Sequence, residues 1–246
     1  GFWNTITVAV MRRPWISLVT ASIILLILGS YYLELEKGTS GISVLPDEIP
    51  AKQGFQTLDE KFGFGSDAPA LVVIEGDVGS DVFASALTTL EQSITDDDGL
   101  QAPEVRIEPS VNLASFTSNI PGDPQNQSAL NTIRRIRAYL IPDAFAGVPE
   151  GSYTAYVGGS SAEVVDSVKV TDDYLPIVFA SVLSLSFILL LFAFRSLVIS
   201  IASIVMNLLS VAAAYGLVVL VFQKGFLIDV FGFKQVDQIE FWLPLF

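Results

Sequence analysis

LPIVFASVLSLSFILLLFAF, residues 175–194, runs through Arg195-Ser196 into LVISIASIVMNLLSVAAAYGLVVLVF, residues 197–222. The two runs hold 20 and 26 residues without a single charge. A helix rises ~1.5 Å per residue, so each run matches or exceeds the ~30 Å hydrocarbon core of a bilayer. A helix of a water-soluble protein seldom keeps every face apolar over such a length. The pair therefore reads as a transmembrane hairpin joined by a two-residue turn. A third run of this kind, 15–33, lies near the start. Its 19 uncharged residues exceed the ~7–15 of a signal-peptide core, and no small-residue cleavage site follows Leu33, so it is read as a retained span.

Composition agrees. The chain has 246 residues, 51% hydrophobic and only 16% charged. The mean hydropathy is +0.56. With no Cys and no His, the chain has no disulfide, no Cys/His zinc site and no Ser-His or Cys-His catalytic pair of its own. The formal charge of −13 opposes binding to nucleic acid. No phosphate-binding G-x-x-x-x-G-K-[ST] motif occurs, so this chain binds no ATP by a P-loop. No enzyme activity, catalytic residue, metal site or cofactor is expected.

The flanks orient the spans. Residues 1–14 contribute Arg12 and Arg13, and the 195–196 turn contributes Arg195, with no acid on either. The other ten of the 13 Lys and Arg, and all 26 Asp and Glu, fall on the opposite side. The positive-inside rule then makes residues 1–14 and 195–196 cytoplasmic. Residues 34–174 become an extracytoplasmic domain and 223–239 an extracytoplasmic loop. A fourth span is expected to begin over 240–246. Trp15, Tyr31 and Tyr32 stand at the ends of the first span, where interfacial aromatics belong.

Within 34–174, Ala70–Glu75 is an apolar run read as a buried strand. Phe83, Leu87, Leu90 and Ile94 mark a helix over 80–94. Val105–Glu108 and Leu113–Ser118 read as strands, and 121–128 as a loop. Leu130, Ile133, Ile136 and Leu140 mark a helix over 128–141, with Pro142 as its stop. Ser152–Val157 alternates as a strand. Gly158-Gly159 turns the chain into a helix that feeds the second span, with Ser160 and Glu163 as a capping box. The order predicts an α+β sandwich of ferredoxin-like type.

Several stretches resemble MMPL proteins of the RND superfamily. They are Arg12-Arg13-Pro14-Trp15, then Leu45-Pro46-Asp47-Glu48-Ile49-Pro50 with Gln53-Gly54-Phe55, and Gly158-Gly159-Ser160-Ser161-Ala162-Glu163 with Asp166 and Asp173. Phe194-Arg195-Ser196-Leu197 and the closing Ile239-Glu240-Phe241-Trp242-Leu243-Pro244-Leu245-Phe246 complete the set. The resemblance implies the N-terminal part of a proton-driven exporter of hydrophobic or lipidic cargo in a bacterial inner membrane, with a porter-type domain. It places the family's Asp-Tyr proton relay on the fourth span, beyond Phe246, so no relay residue is carried over. A structural or accessory subunit of a larger membrane complex is the competing reading. The partners expected are the lipid bilayer, lipidic cargo and other membrane-protein subunits.

Four groups of polar residues are candidates. Ser200, Ser203, Asn207 and Ser210, with Ala214, share one face of the third span, and Ser181 and Ser184 are candidates for the same surface. That face is either a helix-packing seam or a wall of a proton or water path. Ser and Asn do not titrate, so the seam is expected. Arg134, Arg135 and Arg137 are candidates for lipid phosphates or a partner's acids, against the plainer reading of a solvated face. Asp96-Asp97-Asp98-Gly99 lacks calcium-loop spacing and reads as a turn. Gly158-Gly159-Ser160 opens a helix where an anion could sit, although a plain strand-to-helix turn explains it as well and is the preferred reading.

Overall fold

A computed structural model describes residues 7, 8, 10–62, 68–232 and 234–243. The chain forms two compact units: residues up to Glu36 with Tyr174–Val236, and Lys37–Asp173 with the residues from Asp237 onward.

The first unit is helical. Helix α1, Pro14–Ser30, has Pro in its first turn, where the missing N–H would be unpaired anyway, and tightens into a 3-10 turn over Tyr31–Glu34. Two further long helices follow, α6 at Ser160–Phe194 and α7 at Leu197–Val218, the latter extended by a π-helical turn at Val219–Gln223. All three are long and apolar enough to cross a membrane, over Pro14–Glu34, Ser160–Phe194 and Leu197–Gln223. The turn between α6 and α7 needs Arg195 in the left-handed region, φ 49°. Ser196 then caps α7 by accepting from the Ile199 N–H at 3.4 Å.

The helices α1 and α7 pack through small residues. A Cβ on Gly29 would stand 3.3 Å from that of Ala212, and Ala213 and Gly216 are buried. Beyond the apolar stretches, Lys224 pairs with Glu34 at 2.5 Å, and the Gln223 side chain donates to the Glu36 carbonyl at 3.1 Å.

The second unit is built on a four-stranded antiparallel sheet. Its strands are β2 (Ala70–Gly76), β3 (Glu104–Glu108), β4 (Leu113–Ser118) and β5 (Tyr153–Gly158), in the spatial order β3-β4-β2-β5. Register places Phe116, Val72 and Val157 in one row and Ala114 and Ile74 in the next. These side chains share a core with Phe83, Leu87, Leu90 and Ile94 of α3 (Asp81–Thr95) and with Ile133 of α4 (Gln127–Arg135). Burying side chains of this size stabilises the domain by roughly 1.5–3 kcal/mol each.

The helix expected over 128–141 does not stop at Pro142. After α4 it widens into a π-helical turn, Ile136–Leu140, and continues as α5, Ile141–Ala144. The Ile141 N–H donates to the Ile136 carbonyl, five residues back. Pro142 then occupies a first-turn position, where its lack of an N–H breaks no bond. The expected capping box also fails. Ser160 is the first helical residue of α6, and its hydroxyl has no partner among the described residues.

Four elements have no counterpart in the sequence reading. Helix α2, Pro50–Phe62, buries Lys52, whose ammonium donates to the Leu45 carbonyl at 2.8 Å and pairs with Asp47 at 2.6 Å. Strand β1, Lys37–Gly38, pairs in parallel with β6, Ile239–Glu240. Buried Gln238 ties this pair down by donating to the carbonyls of Thr39 and Gln125. A short helix α8, Ile228–Phe231, interrupts the stretch expected as a plain loop. Glu240, expected to open a fourth span, is in β6 instead. The remainder of that expected span, 244–246, lies outside the described residues.

Candidate functional site

The polar stripe on α7 is not the surface that packs against α1. Ser200 is buried and its hydroxyl donates to the Ser196 carbonyl at 2.9 Å. Ser203 is half-buried, whereas Asn207, Ser210 and Ala214 are exposed. At 3.6 residues per turn, the packed residues Ala212, Ala213 and Gly216 fall on nearly the opposite side. The small residues win this contact because two backbones approach closely only where no side chain intervenes. Ser181 is exposed and donates to its own helix, at the Ile177 carbonyl, 2.8 Å away; Ser184 is also exposed.

The three arginines are engaged within the domain. Arg135 grips Asp97 with two bonds, Nε to Oδ2 at 2.6 Å and an Nη to Oδ1 at 2.5 Å. Burial alone would raise the Asp97 pKa, but the bond from Arg135, the Gly99 N–H at 2.9 Å and the Arg135 charge together lower it. The acidic run 96–98 is thus a turn closed by an arginine, and no cluster of metal-ligating groups occurs among the described residues. Arg137 binds Asp166 at 2.5 and 3.0 Å and donates to the Val157 carbonyl at 2.7 Å, occupying a carbonyl of strand β5. Its hydrogen bond lowers the Asp166 pKa, against the opposing effect of burial and with help from the charges of Arg137 and Lys169. Arg134 donates to Asn131 at 2.7 Å. The expected phosphate contacts would have to compete with these carboxylates for Arg135 and Arg137.

Beside Arg137 and Asp166 the domain carries an open groove of about 750 Å³. The first turns of α6 form one wall. Along it Glu163, Ser167 and Thr171 follow one another at four-residue steps, and therefore on one helix face. None of the three side chains has a hydrogen-bond or ionic partner among the described residues. Ala162 and Val170 make the apolar part, and Phe241 stands within the groove lining. Phe241 is placed by its own N–H, which donates to the Gly38 carbonyl at 2.8 Å, and by packing on Leu130, Val164 and Val168.

Gly158-Gly159 opens this wall. Gly159 has φ +107°, and a Cβ on it would lie 2.2 Å from the Pro69 carbonyl oxygen, so the turn admits only glycine there without strain. The sequence reading missed the Glu163-Ser167-Thr171 ladder, although its spacing was legible. It missed Phe241 because that residue reaches the groove only through the β1–β6 pairing.

The MMPL family model matches residues 110–235, just over half of the chain. The chain is 31% identical over 253 aligned residues to the mycolic acid-containing lipids exporter MmpL11 of Mycolicibacterium smegmatis, covering 99% of this chain and 25% of that protein. It is 28% identical to the heme uptake protein MmpL11 of Mycobacterium tuberculosis, with the same coverage of 99% and 25%. It is 22% identical to the trehalose monomycolate exporter MmpL3 of M. smegmatis, over 92% of this chain and 22% of that protein. The chain thus spans about a quarter of the length of these relatives. With three membrane-length helices and an antiparallel α/β domain among the described residues, and a family match over more than half its length, the chain belongs to the MMPL family of membrane proteins.

Proposed function

We propose that this chain is the N-terminal part of a proton-driven exporter of hydrophobic or lipidic cargo, seated in a bacterial inner membrane. In this reading residues 37–173 are a ferredoxin-like, porter-type domain on the extracytoplasmic side. The observation that carries it is the order of elements: one span, a β-α-β-β-α-β domain, then two spans, in a chain aligned almost end to end with lipid exporters. The strand order β3-β4-β2-β5 supports the ferredoxin-like assignment, because it sets the first and third strands of the domain side by side at the centre. The clustering of acids between the first and second spans, against Arg12, Arg13 and Arg195 on the other flanks, supports the orientation. Proton coupling requires a titrating group at mid-membrane, which this reading expects on a fourth span beyond Phe246.

The test is export itself. The full-length protein, reconstituted in vesicles with a pH gradient, should move a lipid to the outer leaflet, and a protonophore should stop it. Gene deletion should leave the same lipid class inside the producing cell. Lipid export that survives collapse of the gradient removes the proton-driven part of the reading. An unchanged surface lipid profile after deletion removes the cargo.

A further inference from the structure

We propose that the outer edge of strand β5 is a docking site for an extended, lysine-bearing segment of a partner protein, which joins the sheet as a fifth strand. Every residue involved belongs to the sheet domain, so the proposal does not depend on the export reading.

The register leaves this edge open. The Gly76 N–H donates to the Asn112 carbonyl at 3.0 Å, so the even-numbered residues of β2 bond to β4 and Leu71, Val73 and Glu75 bond to β5. Their partners on β5 are Gly158, Tyr156 and Thr154. The N–H and C=O groups of Tyr153, Ala155 and Val157 therefore point away from the sheet, because β5 is the last strand on that side. Arg137 agrees with this direction, since its guanidinium reaches the Val157 carbonyl from outside the sheet at 2.7 Å. No other outward group of the row has a hydrogen-bond partner among the described residues.

The two edges of the sheet differ in kind. Strand β3 is bracketed by Pro103 and Pro109 and carries Glu104, Arg106 and Glu108, the devices that keep an edge from pairing. Strand β5 reads YTAYVG, with no charge and no proline. An edge of that composition invites a strand, because another extended backbone matches its spacing of donors and acceptors. A groove of about 330 Å³ adjoins it, lined by Ala155, Val157 and Ile141 together with Arg137 and Asp166. A residue set opposite Ala155 would place its side chain on the same face, so an apolar one suits that position.

The lysine follows from charge. Asp166 lines the groove with its side chain 56% exposed. Its oxygens accept from Arg137 and keep lone pairs for a second cation. Arg137, the other charge in the lining, is already held by Asp166 and the Val157 carbonyl. Over Lys37–Asp173 acids outnumber bases by more than two to one, which favours a basic partner over a second copy of this chain.

The measurement is fluorescence anisotropy with the full-length protein in detergent. The probe is a labelled peptide, Lys-Thr-Val-Thr-Lys, whose valine and lysines share one face in either strand direction. Replacing its valine by proline removes the N–H that the Ala155 carbonyl would accept and should weaken binding about ten-fold. Replacing both lysines by glutamate should weaken it about ten-fold as well. In the protein, Ala155→Pro removes an outward N–H and no bond within the sheet, so it should cost about ten-fold in binding and leave the melting temperature near that of the wild type. Amide exchange at 153–157 should slow on binding, while 104–108 stays unchanged. Equal binding of the valine and proline peptides by the wild type overturns the proposal, and protection at 104–108 in place of 153–157 does the same. Equal binding of the glutamate peptide overturns the choice of a basic partner. A wild-type dimer that Ala155→Pro converts to a monomer overturns the proposal in favour of a second copy. If Ala155→Pro does not fold, the peptide series and the exchange pattern of the wild type decide.

Discussion

Gly216 of α7 lies against the backbone of α1 so closely that a Cβ built on it would stand 1.7 Å from the Leu28 carbonyl oxygen. The obstacle is main chain, not a movable side chain, so no rotamer change relieves it. Gly216→Val should separate the two helices, costing about 1–3 kcal/mol or more by overpacking. The check is the melting temperature and monodispersity of the purified full-length protein. Ser210→Val, on the exposed face, is the control and should leave both unchanged.

The Asp97–Arg135 pair joins the end of α3 to the end of α4. Asp97 has its pKa lowered by folding, so the associated stability is fully present above the unfolded value of about 3.9 and fades as pH falls through the folded value. Asp97→Asn should cost about 1–2 kcal/mol near neutral pH, a figure discounted because the Arg135 side chain is 39% exposed. Melting curves of wild type and variant should converge as pH drops toward 3 or below. A gap that stays constant would show that the pair acts through packing alone.

Gly159→Ala should destabilise the turn into α6 by about 1–3 kcal/mol, because it sets a side chain in a positive-φ position and against the Pro69 carbonyl. Gly147→Ala is the matched control: its Cβ would meet nothing within 4 Å. Thermal denaturation of the two variants side by side gives the comparison, and equal losses would remove the steric argument.

Because the chain has no cysteine, single introduced thiols report its topology directly. Asp98→Cys should react with a membrane-impermeant maleimide in intact cells, whereas Ser196→Cys should react only after the membrane is opened. The opposite pattern would invert the orientation proposed for every span.

Gln238 holds three chain segments together through Thr39 and Gln125, and its Oε1 lies where a Cβ on Gly38 would be, 2.2 Å away. Gln238→Leu removes both donated bonds and should free the β1–β6 pair, with Phe241 attached. Faster amide exchange at 37–41 and 238–241 than at 113–118, in the intact protein, is the expected signature. Unchanged protection would mean that the strand pairing holds without it.

Local pattern was enough for the helices and most of the sheet. Leu113–Ser118 was legible as a strand because its residues alternate between a packed and an open face, and the structure gives the same bounds. The α3 stripe of Phe83, Leu87, Leu90 and Ile94 was legible at helical spacing and is buried as a unit. Lys37–Gly38 with Ile239–Glu240 was not legible. Two residues carry no periodicity, and their partners lie some two hundred positions away.

Hydrophobic length alone determined that three helices among the described residues are long and apolar enough to cross a membrane, where a backbone would satisfy its own hydrogen bonds as helix. Which face of a helix meets which neighbour was decided only in three dimensions. The Ser203-Asn207-Ser210 stripe and the Ala212-Ala213-Gly216 stripe were equally visible in sequence, and close backbone approach selected the second for α1. The same holds for the arginines: charge composition made them available, and the carboxylates of Asp97 and Asp166, brought within 2.5 Å by folding, took them up.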